Sequence, residues 1–175
     1  MMQTMHARAY LRASTDLRGL GGSTRAEAGY DLHTLADDAA KLLDALDIGS
    51  AAVVGIDLGV QIAWLMAARY PARVDKLAIM EGMLGDLPGA EQFLANGPPW
   101  WFGFHGVPGL AETVLEGREA EYVDWFLKFG TRGGRGVNEP CRAAFLSAYT
   151  GKESMRCGFE HYRAFRTDRE QTARP

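Results

Sequence analysis

The residues best suited to chemistry are Gly55-Ile56-Asp57-Leu58-Gly59, directly after the apolar run Ala51-Ala52-Val53-Val54. A helical pattern follows from Val60 to Ala68. A short β-branched strand, a Gly-flanked polar residue and a helix form the context of a nucleophile elbow. The glycines let neighbouring backbones approach closely around a strained turn. The residue at the turn is a carboxylate, which attacks carbon to give an ester intermediate. That chemistry breaks C–O or C–halogen bonds. A second acid, Glu81, closes the apolar run Leu77-Ala78-Ile79-Met80.

The elements around these acids follow from periodicity and breakers. Residues 8–15 are expected to form a short strand, ending in the Gly-rich loop Asp16-Leu17-Arg18-Gly19-Leu20-Gly21-Gly22-Ser23. Asp31 or Thr34 can cap a helix over 35–46, where Leu35, Ala39, Leu42, Leu43 and Leu46 recur at helical spacing. A strand is expected over 48–56, a helix over 58–70 stopped by Pro71, and a strand over 74–80. Strands alternating with helices imply a parallel α/β sheet, with chemistry at the carboxyl ends of the strands. Asp57 and Glu81 both fall at such ends.

After Glu81 the composition changes. The chain divides into an α/β core over 1–85, a Gly/Pro-rich linker over 86–99, an aromatic helical segment over 100–168 and a polar, frayed tail over 169–175. Helices are expected at 111–116, 119–129, 139–149 and 154–165. The aromatic residues of this segment suit helical core and also an apolar lid over a site.

Bulk properties bound the function. The chain has 175 residues, is 47% hydrophobic and 23% charged, and carries a net charge of -3. It can build one domain with a true core. No basic patch points to nucleic acid, and no apolar stretch nears the roughly 18 residues needed to span a bilayer. The start has no apolar signal segment, and Cys141 and Cys157 read as reduced thiols, so a cytoplasmic protein is expected. His6, His33, His105 and His161 show no metal-ligand spacing, and no metal or cofactor is expected. His6 and His33 read as surface residues.

Four stretches resemble the α/β-hydrolase superfamily, in its epoxide hydrolase and dehalogenase branch. Residues 16–23 resemble the Asp-x-Arg-Gly-x-Gly-x-Ser loop after the family's fourth strand. Residues 55–59 resemble its elbow, with Ile56 where a histidine more often stands. Pro108-Gly109-Leu110-Ala111-Glu112 resembles the opening of the helical cap. Gly158-Phe159-Glu160-His161-Tyr162-Arg163 resembles the cap segment whose tyrosine binds the substrate oxygen.

The resemblance implies a partial α/β-hydrolase fold with a helical cap. It implies Asp57 as nucleophile, the Leu58 N–H as half of an oxyanion hole and Tyr162 as donor to the epoxide oxygen. Glu81 would be the acid orienting a histidine. Two tyrosines are usual, and the first would fall at Trp101, whose indole N–H could hold a halide or an oxygen. Trp101 and Phe104 are candidate pocket residues. No histidine matches the general base. His161, beside Tyr162 on a helix, points about 100° away from it.

The family's third strand and His-Gly-x-Pro loop are expected before residue 1, and its last strands and catalytic histidine after residue 175. Loss of the third strand would leave a gap inside the sheet. The fourth and fifth strands then pair directly, a second chain fills the gap, or the fragment is poorly stable. The leading expectation is an epoxide hydrolase-like enzyme acting on small apolar epoxides through an Asp-alkyl ester, impaired by the missing base. A haloalkane or haloacid dehalogenase, and a non-catalytic truncated module that survives by oligomerising, are the alternatives.

Overall fold

The computed structural model describes residues 11–84 and 90–174. Helix α1 (Leu32–Ala45) precedes strand β1 (Ala51–Ile56), helix α2 (Leu58–Arg69), a single 3-10 turn at Pro71–Arg73 and strand β2 (Val74–Met80). The helical part follows: α3 (Ala90–Phe93), α4 (Trp100–Gly106), α5 (Leu110–Leu115), α6 (Glu119–Gly130), α7 (Glu139–Tyr149), α8 (Lys152–Arg163) and α9 (Phe165–Ala173). No helix among the described residues is long and apolar enough to cross a membrane.

β1 and β2 pair in parallel, with Val54 opposite Ala78 and Ile56 opposite Met80. The crossover helix α2 packs against α1, and Leu32, Leu35, Leu65 and Ile62 form the centre of this core. Burial of such side chains contributes about 1.5–3 kcal/mol each. One face of the ladder carries Val54, 63% exposed, and Ile56, 56% exposed.

The strand expected over 8–15 is not formed where it can be seen: residues 11–15 are irregular, and 8–10 lie outside the described residues. Among the described residues the sheet has two strands, and β1 pairs with β2 alone. Backbone becomes strand only where a ladder partner stands alongside. Among the described residues, direct pairing of this segment with β1, the first of the three alternatives, is therefore not seen.

The loop over 16–23 folds around its own polar groups. Asp16 accepts from the Gly22 N–H at 3.0 Å, and the Ser23 hydroxyl donates to the Asp16 carbonyl at 2.6 Å. Arg18 grips Asp38 of α1 with two hydrogen bonds of 2.9 Å each. His161 of α8, which is buried, shares a 3.1 Å hydrogen bond with the Arg18 carbonyl. The helical segment is thereby tied to the α/β part. Within that segment, Arg163 of α8 holds Glu112 of α5 at 2.7 and 2.9 Å, both side chains being largely buried.

The tail corrects the expectation of fraying. Residues from Phe165 to Ala173 are helical, and α9 docks on the N-terminus of α1. Asp168 accepts from the Leu32 N–H at 2.9 Å, and Gln171 accepts from the His33 N–H at 2.8 Å. Asp31, the expected cap, accepts from the Thr34 N–H at 3.2 Å. A helix leaves its first N–H groups without internal partners. Here three of them are satisfied, two by a segment more than 130 residues away. A polar composition suggested disorder because the partners of those polar groups are distant in sequence. The linker also holds one helical turn, α3, and His33 is half-buried rather than on the surface. His6 lies outside the described residues.

Burial of Asp168 pushes its pKa up to about 6, from the usual 3.8, and the nearby Asp31 charge adds to the rise. The folded state thus holds a proton that the unfolded chain has released between those values. Stability from this group is complete below about pH 4 and is lost as pH rises through about 6, a change on the order of 2–3 kcal/mol. Thermal melts of the wild type from pH 4 to 7 should show this fall. Asp168→Asn, which keeps the acceptor for Leu32 but cannot titrate, should flatten it.

Candidate active site

Asp57 stands alone between β1 and α2, with φ 55° and ψ -122°. A left-handed φ in a non-glycine residue costs about 1–3 kcal/mol and persists only where the surroundings impose it. They do so by close packing. A Cβ on Gly55 would lie 2.2 Å from the Gly59 carbonyl oxygen, so only glycine lets the strand pass the first turn of α2. A Cβ on Gly82 would lie 2.5 Å from the Asp57 carbonyl oxygen and 2.7 Å from Val60. The chain leaving β2 is thus pressed against the turn.

Asp57 keeps solvent access, yet desolvation by its surroundings raises its pKa, while the Leu58 N–H facing the carboxylate pulls the other way. The group sits at the N-terminus of α2, where backbone N–H groups and the helix dipole favour negative charge.

The other expected site residues fall in different places. Leu58 opens α2, its side chain on the α1–α2 core and its N–H toward Asp57. Glu81 ends β2 with a left-handed φ of 56°, exposed, one residue past Met80 as Asp57 is one past Ile56. The two carboxylates therefore leave neighbouring strands at the same level. Tyr162 lies on α8. Its pKa is pushed up to about 12, first by burial and then by the charge of Asp57. Its ring is flanked by Phe102 at 5.7 Å, His105 at 4.4 Å and Phe165 at 5.2 Å.

Trp101 packs among Trp100, Phe102, Trp125, Phe126 and Phe129, at centroid distances of 5.5–6.5 Å. Phe104 packs on Tyr122 and on the α5–α8 cluster of Ala111, Leu115, Met155 and Phe159. Both side chains thus have interior packing within the helical segment. An open groove of about 290 Å³ beside them is lined by Trp100, Leu115, Arg118, Glu121, Tyr122 and Trp125, and does not include Asp57.

The histidines are engaged elsewhere. His161 faces Arg18 and lies edge-on to Tyr30, 5.1 Å between centroids, on the side of α8 away from Tyr162's neighbours. His105 stacks on Phe159 at 4.3 Å and meets the Tyr122 hydroxyl at 2.6 Å. Burial, with Arg163 nearby, pushes the His105 pKa down to about 4. Among the described residues no cluster of His, Cys, Asp and Glu could hold a metal ion.

A second phenol, not singled out from the sequence, senses the same charge. Tyr149, at the end of α7, has its pKa raised by burial and by the charges of Asp57 and Asp16. Its ring lies 3.1 Å from where a Cβ on Gly158 would stand. The available signal was Gly158 itself, a notch on α8 one helical turn before Tyr162.

Removing the side chain that suffers the strain should stabilise the fold. Asp57→Gly is expected to raise stability by about 1 kcal/mol in urea unfolding, with Asp57→Asn unchanged within about 0.5 kcal/mol. Equal stability of the glycine variant and wild type would show that the turn is unstrained.

The sequence profile of the alpha/beta hydrolase fold family matches residues 13–104, more than half of the chain. Epoxide hydrolase A from Mycobacterium tuberculosis is 33% identical over 112 residues, covering 60% of this chain and 35% of that protein. The crystal structure of wild-type Cfl2 from Burkholderia cenocepacia superposes with a TM-score of 0.76 at 31% identity, over 90% of this chain and 55% of that one. The epoxide hydrolase CorEH, without ligand, superposes with a TM-score of 0.77 at 26% identity, over 90% of this chain and 58% of the other. The chain thus spans about a third of its curated relative and a little over half of the solved ones. A shared profile over the strand–turn–helix that carries Asp57, and a shared fold around it, place this chain in the α/β-hydrolase family.

Proposed function

We propose that this chain carries the nucleophile and cap portions of an epoxide hydrolase-like active site, acting on small apolar epoxides. The observation that carries the reading is Asp57, a carboxylate held at left-handed φ between β1 and α2 with the Tyr162 phenol within reach of its charge. In this reading the turn is a nucleophile elbow, and the helices from α4 to α8 form the cap.

The chemistry follows from the residues. An Asp57 carboxylate oxygen attacks a ring carbon of the epoxide. A carbon–oxygen ester bond forms as the ring C–O bond breaks, and its electron pair moves to the ring oxygen. Tyr162 gives its phenolic proton to that oxygen, and the phenolate then recovers a proton from water. The Leu58 N–H stabilises negative charge on the ester carbonyl during its later hydrolysis. That second half needs a general base. His105 and His161 are occupied within the fold, so the described residues support the covalent half-reaction. Glu81, beside Asp57 on the next strand, would orient a base brought to the site.

Halide displacement by Asp57 is the second reading. It drew on Trp101 as a halide donor, but that indole lies among five aromatic neighbours. A phenol under the field of the nucleophile suits an oxygen leaving group better.

Intact mass spectrometry after incubation with styrene oxide tests the reading. A single adduct mapping to Asp57, and none in Asp57→Ala, is expected. The adduct rate should fall as pH drops, with a midpoint above the ordinary aspartate value because burial raises the Asp57 pKa. An adduct that persists in Asp57→Ala would overturn the assignment.

A further inference from the structure

Large aromatic side chains tend to leave water, yet on the helical segment Trp100 is 53% exposed, Trp125 41% and Phe129 60%. The three are contiguous. Trp125 lies 5.5 Å from Trp100 and stacks on Phe129 at 5.1 Å, with the two planes 7° apart. Trp125 and Phe129 are four residues apart on α6 and share one face of that helix. At about 150–250 Å² for a whole aromatic side chain, the three leave roughly 300 Å² in water. A contiguous apolar patch of that size marks an interaction site more often than scattered exposed residues do.

The patch continues into the open groove of about 290 Å³, whose lining includes Trp100, Tyr122 and Trp125. Arg118 and Glu121 complete that lining, both exposed at the start of α6. Arg118, Tyr122, Trp125 and Phe129 follow one another at spacings of four, three and four, which makes them one stripe of the helix. Neither Arg118 nor Glu121 has an ion-pair partner among the described residues. Asp124 of the same helix, by contrast, is held by Arg142 of α7 at 2.7 and 2.9 Å. The groove side of α6 thus presents bare rings with one cation and one anion beside them.

We propose that this face of α4 and α6 is a contact between two copies of the chain, related by a two-fold axis. A two-fold contact sets one patch against itself and therefore needs a self-complementary surface. This patch is one. Its rings can meet rings, and its two charges, opposite in sign and three residues apart, let Arg118 of each copy pair with Glu121 of the other. A membrane or nucleic-acid surface would call for an excess of cations, and here the charges cancel. A small ligand filling the groove would leave Phe129, which is outside its lining, still in water. The net charge of -3 opposes self-association only weakly. Two patches bury roughly 600 Å² of aromatic surface, and with a polar rim the contact falls at the low end for specific interfaces. The dimer is therefore a reversible one. It does not depend on the reading of Asp57, which the groove does not include.

Sedimentation velocity of the whole chain tests the contact. Wild type should be monomeric near about 1 µM and mainly dimeric near about 200 µM. Arg118→Glu and Glu121→Arg each set like charges across the axis twice, so each alone should weaken association roughly tenfold. An equimolar mixture of the two should recover it as a heterodimer, because one variant brings only acids to the contact and the other only arginines. Phe129→Ser, at a side chain already largely in water, should weaken association roughly tenfold while its thermal melt stays within a few degrees of wild type. A wild type that is monomeric throughout this range would overturn the proposal. Failure of the mixture to associate would overturn the pairing of Arg118 with Glu121, and the two-fold contact with it. A dimer indifferent to all three variants but lost in Val54→Lys would also overturn it, placing the contact on the bare face of β1.

Discussion

Parallel pairing of β1 with β2 is the constraint on which the rest depends. Register sets Ile56 opposite Met80, so both strands end at one level and both next residues are acids. A parallel pair requires a crossover, and α2 supplies it by starting immediately after β1. There is no loop to relax the transition, and Asp57 must absorb the whole change of direction. Gly55 and Gly82 then become steric necessities, because side chains there would collide with Gly59 and with Asp57.

The second layer of the site is built independently. The helices from α4 to α9 hold together through aromatic packing and the buried Arg163–Glu112 pair. A buried pair contributes little net stability, but breaking it is costly, so it fixes the angle between α5 and α8. Tyr162 neighbours Arg163 in sequence and inherits that rigidity. His161 faces the opposite way and links α8 to Arg18, while Arg18 holds α1 through Asp38. One helix thus carries the Tyr162 phenol on one face and its own attachment to the α/β part on another.

Much of this was legible in the residues. β2 runs from Val74 to Met80, ending on the apolar run that suggested it, and α2 begins at Leu58, where the glycine-flanked acid suggested. Local signals sufficed because those elements are defined by neighbours in sequence. The failures share one cause. Residues 11–15 look like a strand but have no ladder beside them, and residues 169–173 look frayed but belong to a helix that finds partners on α1. Tyr149 was not singled out for the same reason: its placement depends on a notch on another helix. Phe104 is ambiguous on other grounds, since an aromatic that could line a pocket also fills a core, and here it packs against the cluster of Ala111 and Leu115.

The docking of α9 on α1 bears on how the chain is made. Gln171 also donates to Asp31, across 140 residues, so the start of α1 acquires its full set of partners late. At ribosomal rates of roughly 5–20 residues per second, that interval is about 7–28 s. Throughout it the nascent α1 presents open backbone amides, with the apolar stripe of Leu32, Leu35 and Leu43 waiting on α2. Closure across such a separation raises contact order and slows the final step. The first helix among the described residues is therefore among the last to be secured, and the time before that closure is when a chaperone has most to do.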